Sequence, residues 1–256
     1  MLGWIGFAFA GFNGFSYWYG GFVLCFWVAF GTLNVSQRSS FWLACHRKTL
    51  FLLFYVALAS SAFFADRFGV IFHLWFYPLY EGVWMLWVYL VLYPFGGLAV
   101  LELLYFLSAK FGASLRFVAH PATFWHIFFD VLESLLFIMT LGALILGVIG
   151  VTAAVPLVGI LALLWVVSAL IKMRFHIRHS AHYILVVILT ALCATFLHEF
   201  PNTVAHEWIY QAVPAFGLLL NYVLLGVPLW VWVGYCWLTL FPLRLWIFVA
   251  LHPRIK

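Results

Sequence analysis

The stretch Trp125-His126-Ile127-Phe128-Phe129-Asp130-Val131-Leu132-Glu133 decides how the chain is read. It opens an apolar run, Ala122 to Gly150, that exceeds the roughly 20 residues a helix needs to cross a bilayer. On a helix, His126, Asp130 and Glu133 stand at i, i+4 and i+7 and project from one face. Ionisable groups at membrane depth cost roughly 2.5–3.5 kcal/mol each on insertion scales, so such a stripe marks a place that needs polar chemistry.

Working outward, apolar runs recur at about 14–33, 49–65, 79–108, 155–173, 183–200 and 214–243, making seven spans with 122–150. The 256 residues are 68% apolar and 7% charged, against about 25% charged in a soluble domain. The expectation is all-α: a polytopic membrane helix bundle of seven transmembrane helices, with 1–256 a single integral membrane domain. Residues 2–12 read as an interfacial segment or an extension of the first span, and 68–77 as a surface or re-entrant segment.

Of the twelve Lys and Arg residues, all but Arg67 fall in alternate loops and the C-terminal tail. The positive-inside rule then puts the N-terminus outside and the C-terminus in the cytoplasm, in a bacterial-type cytoplasmic membrane. The net charge of +5 is scattered in these short clusters and points to no nucleic acid. No Walker motif or glycine-rich dinucleotide loop suggests a nucleotide. Met1-Leu2-Gly3-Trp4 lacks the basic start of a cleaved signal peptide. Cys25, Cys45, Cys193 and Cys236 show neither disulfide nor metal spacing.

Prolines predict kinks at Pro94-Phe95-Gly96-Gly97 in the third span and at Pro228 in the seventh. Ala143, Gly147 and Gly150 form a small-residue stripe suited to close helix packing. Trp4, Trp18, Tyr77, Tyr80, Trp208 and Tyr210 fall at span ends, where aromatic belts sit.

Sorted by depth, the polar groups form two clusters. The inner one comprises Glu102, His126, Asp130 and Glu133, with His120, His176, His179 and His182 at its mouth. Asp130, Glu133 and Glu102 suit acid/base catalysis on a lipid-dissolved substrate or a proton relay. His126, Asp130 and Glu133 suit a transition metal: iron, zinc, manganese or copper. The bland alternative is a satisfied hydrogen-bond network. His176, Arg178, His179 and His182, beside Lys172 and Arg174, read as a lipid headgroup-binding segment.

The outer cluster is His198, Glu199, His206 and Glu207, with His73 and Glu81 on the same side. The zinc-protease HExxH spacing is absent. No lysine lies between Pro214 and Phe241, which excludes a retinal Schiff base there. A haem would have only His126 with His182 as axial ligands and is disfavoured.

Glu207-Trp208-Ile209-Tyr210, followed by Leu225-Gly226-Val227-Pro228-Leu229-Trp230 and Gly234-Tyr235, resembles a pattern in membrane carotenoid hydratases. The likeness is confined to 207–235 and built of residues common in membrane helices. It implies water addition to an isoprenoid double bond by intramembrane carboxylic acids. The leading expectation is thus an integral membrane enzyme acting on a lipid-soluble, isoprenoid or carotenoid substrate, as a metal-dependent oxidoreductase or a hydratase. The alternatives are a non-catalytic subunit of a larger pigment-bearing or respiratory membrane complex, and a proton-coupled transporter.

Overall fold

An apolar chain in a bilayer must satisfy its backbone N–H and C=O groups within its own segments, and helices do this. The computed structural model describes residues 2–112, 124–151, 154–176, 180–213 and 217–250, and these are mostly helical. In order they are α1 (Gly3–Phe12), α2 (Trp18–Leu33), α3 (Ser40–His46), α4 (Lys48–Ile71), α5 (Met85–Trp87), α6 (Tyr93–Lys110), α7 (Phe124–Val148), α8 (Ala154–His176), α9 (Ser180–Ala205), α10 (Gly217–Leu220) and α11 (Leu229–Ala250).

Four stretches are long and apolar enough to cross a membrane: Lys48–Ile71, Gly82–Lys110, Ile127–Val148 and His182–Ala205. Gly3–Phe12, Trp18–Leu33 and Pro156–Lys172 are shorter apolar helices. The expected seventh span, 214–243, needs correction at its start. After α10 comes a tight hairpin, β3 (Val223–Leu224) on β4 (Val227–Pro228), and α11 begins only at Leu229. Leu225 and Gly226 turn the hairpin at φ 53° and 80°, values that helical backbone does not take. Asn221 ties the loop down: its Nδ2 donates to the Val213 and Gly217 carbonyls, and its Oδ1 accepts from the Val213 N–H. Pro228 therefore ends a strand and kinks no helix, while Pro242 lies inside α11.

The break expected at Pro94 takes another form. Pro94 follows directly on a π-helical turn, whose altered hydrogen-bond ladder accommodates its missing N–H inside the helix. The helix runs on from Gly82 to Lys110 through a π-helical turn, Val88–Leu92. That turn's Leu90 carbonyl accepts a hydrogen bond from the Tyr55 hydroxyl of α4.

Of the small-residue stripe, Gly147 brings α7 onto α4, since a Cβ there would lie 2.4 Å from the Phe68 ring. Gly150, at φ 99°, lies just beyond α7 with open space beside it. The segment after α4 leaves the helix at Phe72. It forms β1 (Trp75–Phe76), which pairs antiparallel with β2 (Ile209–Tyr210). This two-residue ladder staples the α4–α5 connection to the α9–α11 connection.

Apolar packing is divided mainly between two cores. One gathers Trp18, Phe22, Phe26, Val88, Ala99 and Ala194. The other gathers Phe54, Leu101, Leu104, Trp165, Tyr183 and Leu240. Between them they leave two polar layers at opposite ends of the bundle. Tyr93 and Glu102 on α6, like Tyr235 and Arg244 on α11, are nine residues apart, a rise of about 13.5 Å.

Candidate functional site

The chain has seven acidic residues, and five of them (Asp66, Glu102, Glu133, Glu199 and Glu207) are buried. Buried carboxylates demand partners, and the partners differ between the two ends.

At one end, Asp66 near the close of α4 accepts from Trp75 Nε1 at 3.0 Å and from the Tyr77 and Tyr93 hydroxyls at 2.7 and 2.8 Å. Those two hydroxyls lie 2.5 Å apart. Glu199, in the last two turns of α9, accepts at Oε1 from the Tyr210 and Tyr235 hydroxyls, both at 2.7 Å, and at Oε2 from Trp208 Nε1 at 3.0 Å. Glu207, just past α9, accepts from the Tyr19 backbone N–H at 3.0 Å and the Tyr80 hydroxyl at 2.6 Å. Beside Glu199, His198 Nδ1 lies 2.6 Å from the Tyr19 hydroxyl.

Aromatic contacts close these bonds into a ring. Trp75 stands opposite Tyr210 across β1–β2 and meets it edge-on at 6.4 Å. Tyr19 meets Trp208 at 4.8 Å, and Tyr77 meets Tyr80 at 6.2 Å. Asn202 sets the corner that aims Glu207 inward, with its amide bonded to both the N–H and C=O of Trp208. Among the described residues, no Lys or Arg forms an ion pair with Asp66, Glu199 or Glu207.

Burial pushes the Glu207 carboxyl above its usual value, and the Tyr80 hydroxyl and Tyr19 N–H pull it only partly back. Burial also pushes the Tyr77, Tyr80 and Tyr210 hydroxyls upward, reinforced by the acidic groups they face. They remain protonated, and therefore donors, at neutral pH. Such a layer can hold a proton at Glu207, and its fixed carboxylates and aromatic faces suit a positive charge.

The other end is ionic. Lys172 Nζ of α8 sits 3.0 Å from Asp130 and 3.2 Å from Glu133. Arg244 Nε of α11 donates to Glu133 at 3.0 Å, and its Nη2 donates to the Ser134 hydroxyl. Trp165 Nε1 adds a bond of 2.8 Å to Glu133. The three helices α7, α8 and α11 are thereby pinned together.

The inner cluster expected from the sequence is only partly assembled. Asp130 and Glu133 do share a partner, the Lys172 ammonium. Glu102 does not join them. It turns toward α3, accepting from Ser40 Oγ at 2.6 Å, the Phe41 N–H at 3.0 Å and Asn34 Nδ2 at 2.8 Å. There it caps the start of α3, a structural task. His126 lies in α7, but its side chain is outside the described residues, as is that of His176; Arg178, His179 and His120 fall wholly outside them. His182 is exposed at the start of α9. Among the described residues, no three His, Cys, Asp or Glu side chains come together as metal ligands.

Of the outer cluster, the structure brings Glu199, His198 and Glu207 together, while His206 and His73 are exposed. Asp66 escapes the sequence reading, although an aspartate in a run of apolar residues is itself a signal. Tyr77, Tyr80, Trp208 and Tyr210 are donors to the ring, not lipid-facing belt residues. Trp18, also expected in the belt, is fully buried. Compared with protein-family models, curated proteins and solved structures, the chain matches none.

Proposed function

We propose that the chain is an integral membrane enzyme that adds water to a double bond of a lipid-soluble, isoprenoid-type substrate by acid catalysis at the aromatic carboxylate ring. The observation that carries this reading is the ring itself: three buried carboxylates held by Tyr and Trp donors, with no cationic side chain among the described residues paired to them. A cation in such a place is welcome, and protonation of an alkene makes one.

Glu207 is the proton donor. Its O–H proton adds to one alkene carbon, the π electrons forming the new C–H bond. The positive charge left on the neighbouring carbon faces the Tyr and Trp rings and the Glu199 carboxylate. Water adds its oxygen to that carbon and returns a proton to Glu207, so alkene and water give an alcohol. Two carboxyl groups in different surroundings thus take two roles. Glu207, Trp208, Tyr210 and Tyr235 all fall in the stretch that resembles membrane carotenoid hydratases, which supports the substrate class.

In this reading the chain crosses the membrane seven times, with the N-terminus outside. The ion-paired end of Lys172 and Arg244 faces the cytoplasm, following the basic loops, and the ring lies in the outer half of the bilayer. The test uses purified protein in lipid nanodiscs with linear polyenes in D2O. Deuterated alcohol should form with wild type, vanish with Glu207→Gln, and fall strongly with Glu199→Gln. Turnover retained in Glu207→Gln would overturn the assignment.

A further inference from the structure

We infer that the ring is one motif used twice, and that its two copies divide the reaction. The Glu199 copy, through Glu207, gives the proton, and the Asp66 copy holds the hydroxyl of water and of the product alcohol. The division rests on the reading of the ring as a hydratase site; the repetition does not.

In each copy a helix supplies an acid near its close, and the same donors follow at the same spacing. Asp66 of α4 accepts from Trp75 nine residues on and Tyr77 eleven on, at 3.0 and 2.7 Å. Glu199 of α9 accepts from Trp208 nine on and Tyr210 eleven on, also at 3.0 and 2.7 Å. A third hydroxyl comes from the next long helix, Tyr93 of α6 in one copy and Tyr235 of α11 in the other. Two residues before each Trp, His73 and His206 both turn the chain at φ 54°. The two short strands pair antiparallel, with Trp75 of one copy opposite Tyr210 of the other and Phe76 opposite Ile209. An antiparallel pair of like strands has a two-fold axis at its centre, so the copies face each other across it.

Where the copies differ, they differ in polar equipment. The residue before the Trp is Glu207 in one copy and Leu74 in the other, and the residue before the acid is His198 in one and Ala65 in the other. In the Glu199 copy the donors cover both carboxylate oxygens. In the Asp66 copy all three converge on Oδ1. Asp66 is fully buried, and its Oδ2 has no hydrogen-bond partner among the described residues. A buried carboxylate oxygen without a donor is costly, and it calls for a ligand that carries an O–H. The Tyr89 hydroxyl, buried and likewise without a hydrogen-bond partner among the described residues, lies in the field of Asp66 and Arg67 and offers the ligand a second bond. In the reaction, the oxygen of water joins the cationic carbon and one of its protons goes to Glu207. The other proton stays in the alcohol, and its O–H is the one held at Oδ2.

The experiment titrates two ligands into the protein in nanodiscs and follows tryptophan fluorescence. One is a saturated C20 isoprenoid tertiary alcohol; the other is its methyl ether, which accepts hydrogen bonds but cannot donate one. Wild type should prefer the alcohol. Asp66→Asn keeps an oxygen for the three donors but puts an amide N–H at the place of Oδ2, so the preference should fall about tenfold. Glu199→Gln, whose oxygens are already covered, should keep it. Tyr89→Phe removes a donor that serves both ligands and should weaken both about fivefold. A preference unchanged in Asp66→Asn or lost equally in Glu199→Gln overturns the hydroxyl site. So does Tyr89→Phe binding as wild type does, which decides the matter even where Asp66→Asn fails to fold. Polyene turnover by a wild type without alcohol preference overturns the division and leaves the hydratase reading standing. An Asp66-dependent preference without turnover of any polyene fails the hydratase reading while the hydroxyl site survives.

Discussion

Glu199 offers the sharpest test of the ring, because alanine and glutamine there break different numbers of bonds. In Glu199→Ala, the Tyr210 and Tyr235 hydroxyls lose their acceptor. Trp208 Nε1 keeps one, since the Tyr210 oxygen lies 3.1 Å away. Two stranded hydroxyls, at about 1–3 kcal/mol each, make a loss near 4 kcal/mol. Glutamine keeps one oxygen for both tyrosines but turns an amide N–H toward the Trp208 N–H, a conflict costing about 1–2 kcal/mol. For a chain of this size, 1 kcal/mol moves Tm by about 2–4 °C. Glu199→Gln should therefore melt roughly 2–8 °C below wild type, and Glu199→Ala roughly 8–16 °C below. Thermal unfolding in one detergent, followed by tryptophan fluorescence, reads both. An alanine variant within about 2 °C of wild type, or a glutamine variant as unstable as the alanine, would refute the hydrogen-bonded ring.

At Glu207, the raised carboxyl means the folded protein holds its proton more tightly than the unfolded chain. Its contribution to stability is full below the unfolded value of about 4.3 and is lost as pH rises through the raised folded value. Melting against pH should therefore slope downward across that window in wild type and more weakly in Glu207→Gln; equal slopes would contradict the shift. Arg244 with Glu133 and Lys172 with Asp130 should differ in double-mutant cycles. Asp130 is half exposed, so its coupling should be about 0.2–1 kcal/mol. Glu133 is buried and its coupling to Arg244 should be larger, and equal couplings would deny that difference. Gly147→Leu should cost about 1–3 kcal/mol by forcing α7 away from Phe68, read as a lower Tm.

The membrane helix class was legible because hydropathy is a property of segments. Helix rotation was not, because it is set by packing between segments. The stripe of His126, Asp130 and Glu133 shows the difference. Its spacing correctly puts Asp130 and Glu133 on one face, but nothing in the spacing says that Lys172 and Arg244 arrive opposite them. Glu102 instead faces α3, a rotation no pattern reveals. The tyrosines misled for a related reason: an amphipathic ring near a span end suits both a lipid belt and a buried carboxylate. Only the pairing of 75–76 with 209–210, far apart in the chain, turns Trp75 and Tyr210 toward Asp66 and Glu199.

The bond between the Tyr19 N–H and Glu207 joins residues 188 apart, with a consequence for how the protein is made. Asp66 finds its tyrosines within the next 27 residues, so its partners leave the ribosome almost with it. Tyr19 must wait, at about 5–20 residues per second, roughly 10–40 s for its acid to be synthesised. Until then the first helices are without that latch. The last acid translated fastens the earliest segments, so a nascent chain stalled before residue 207 presents membrane quality control with an open N-terminal hairpin.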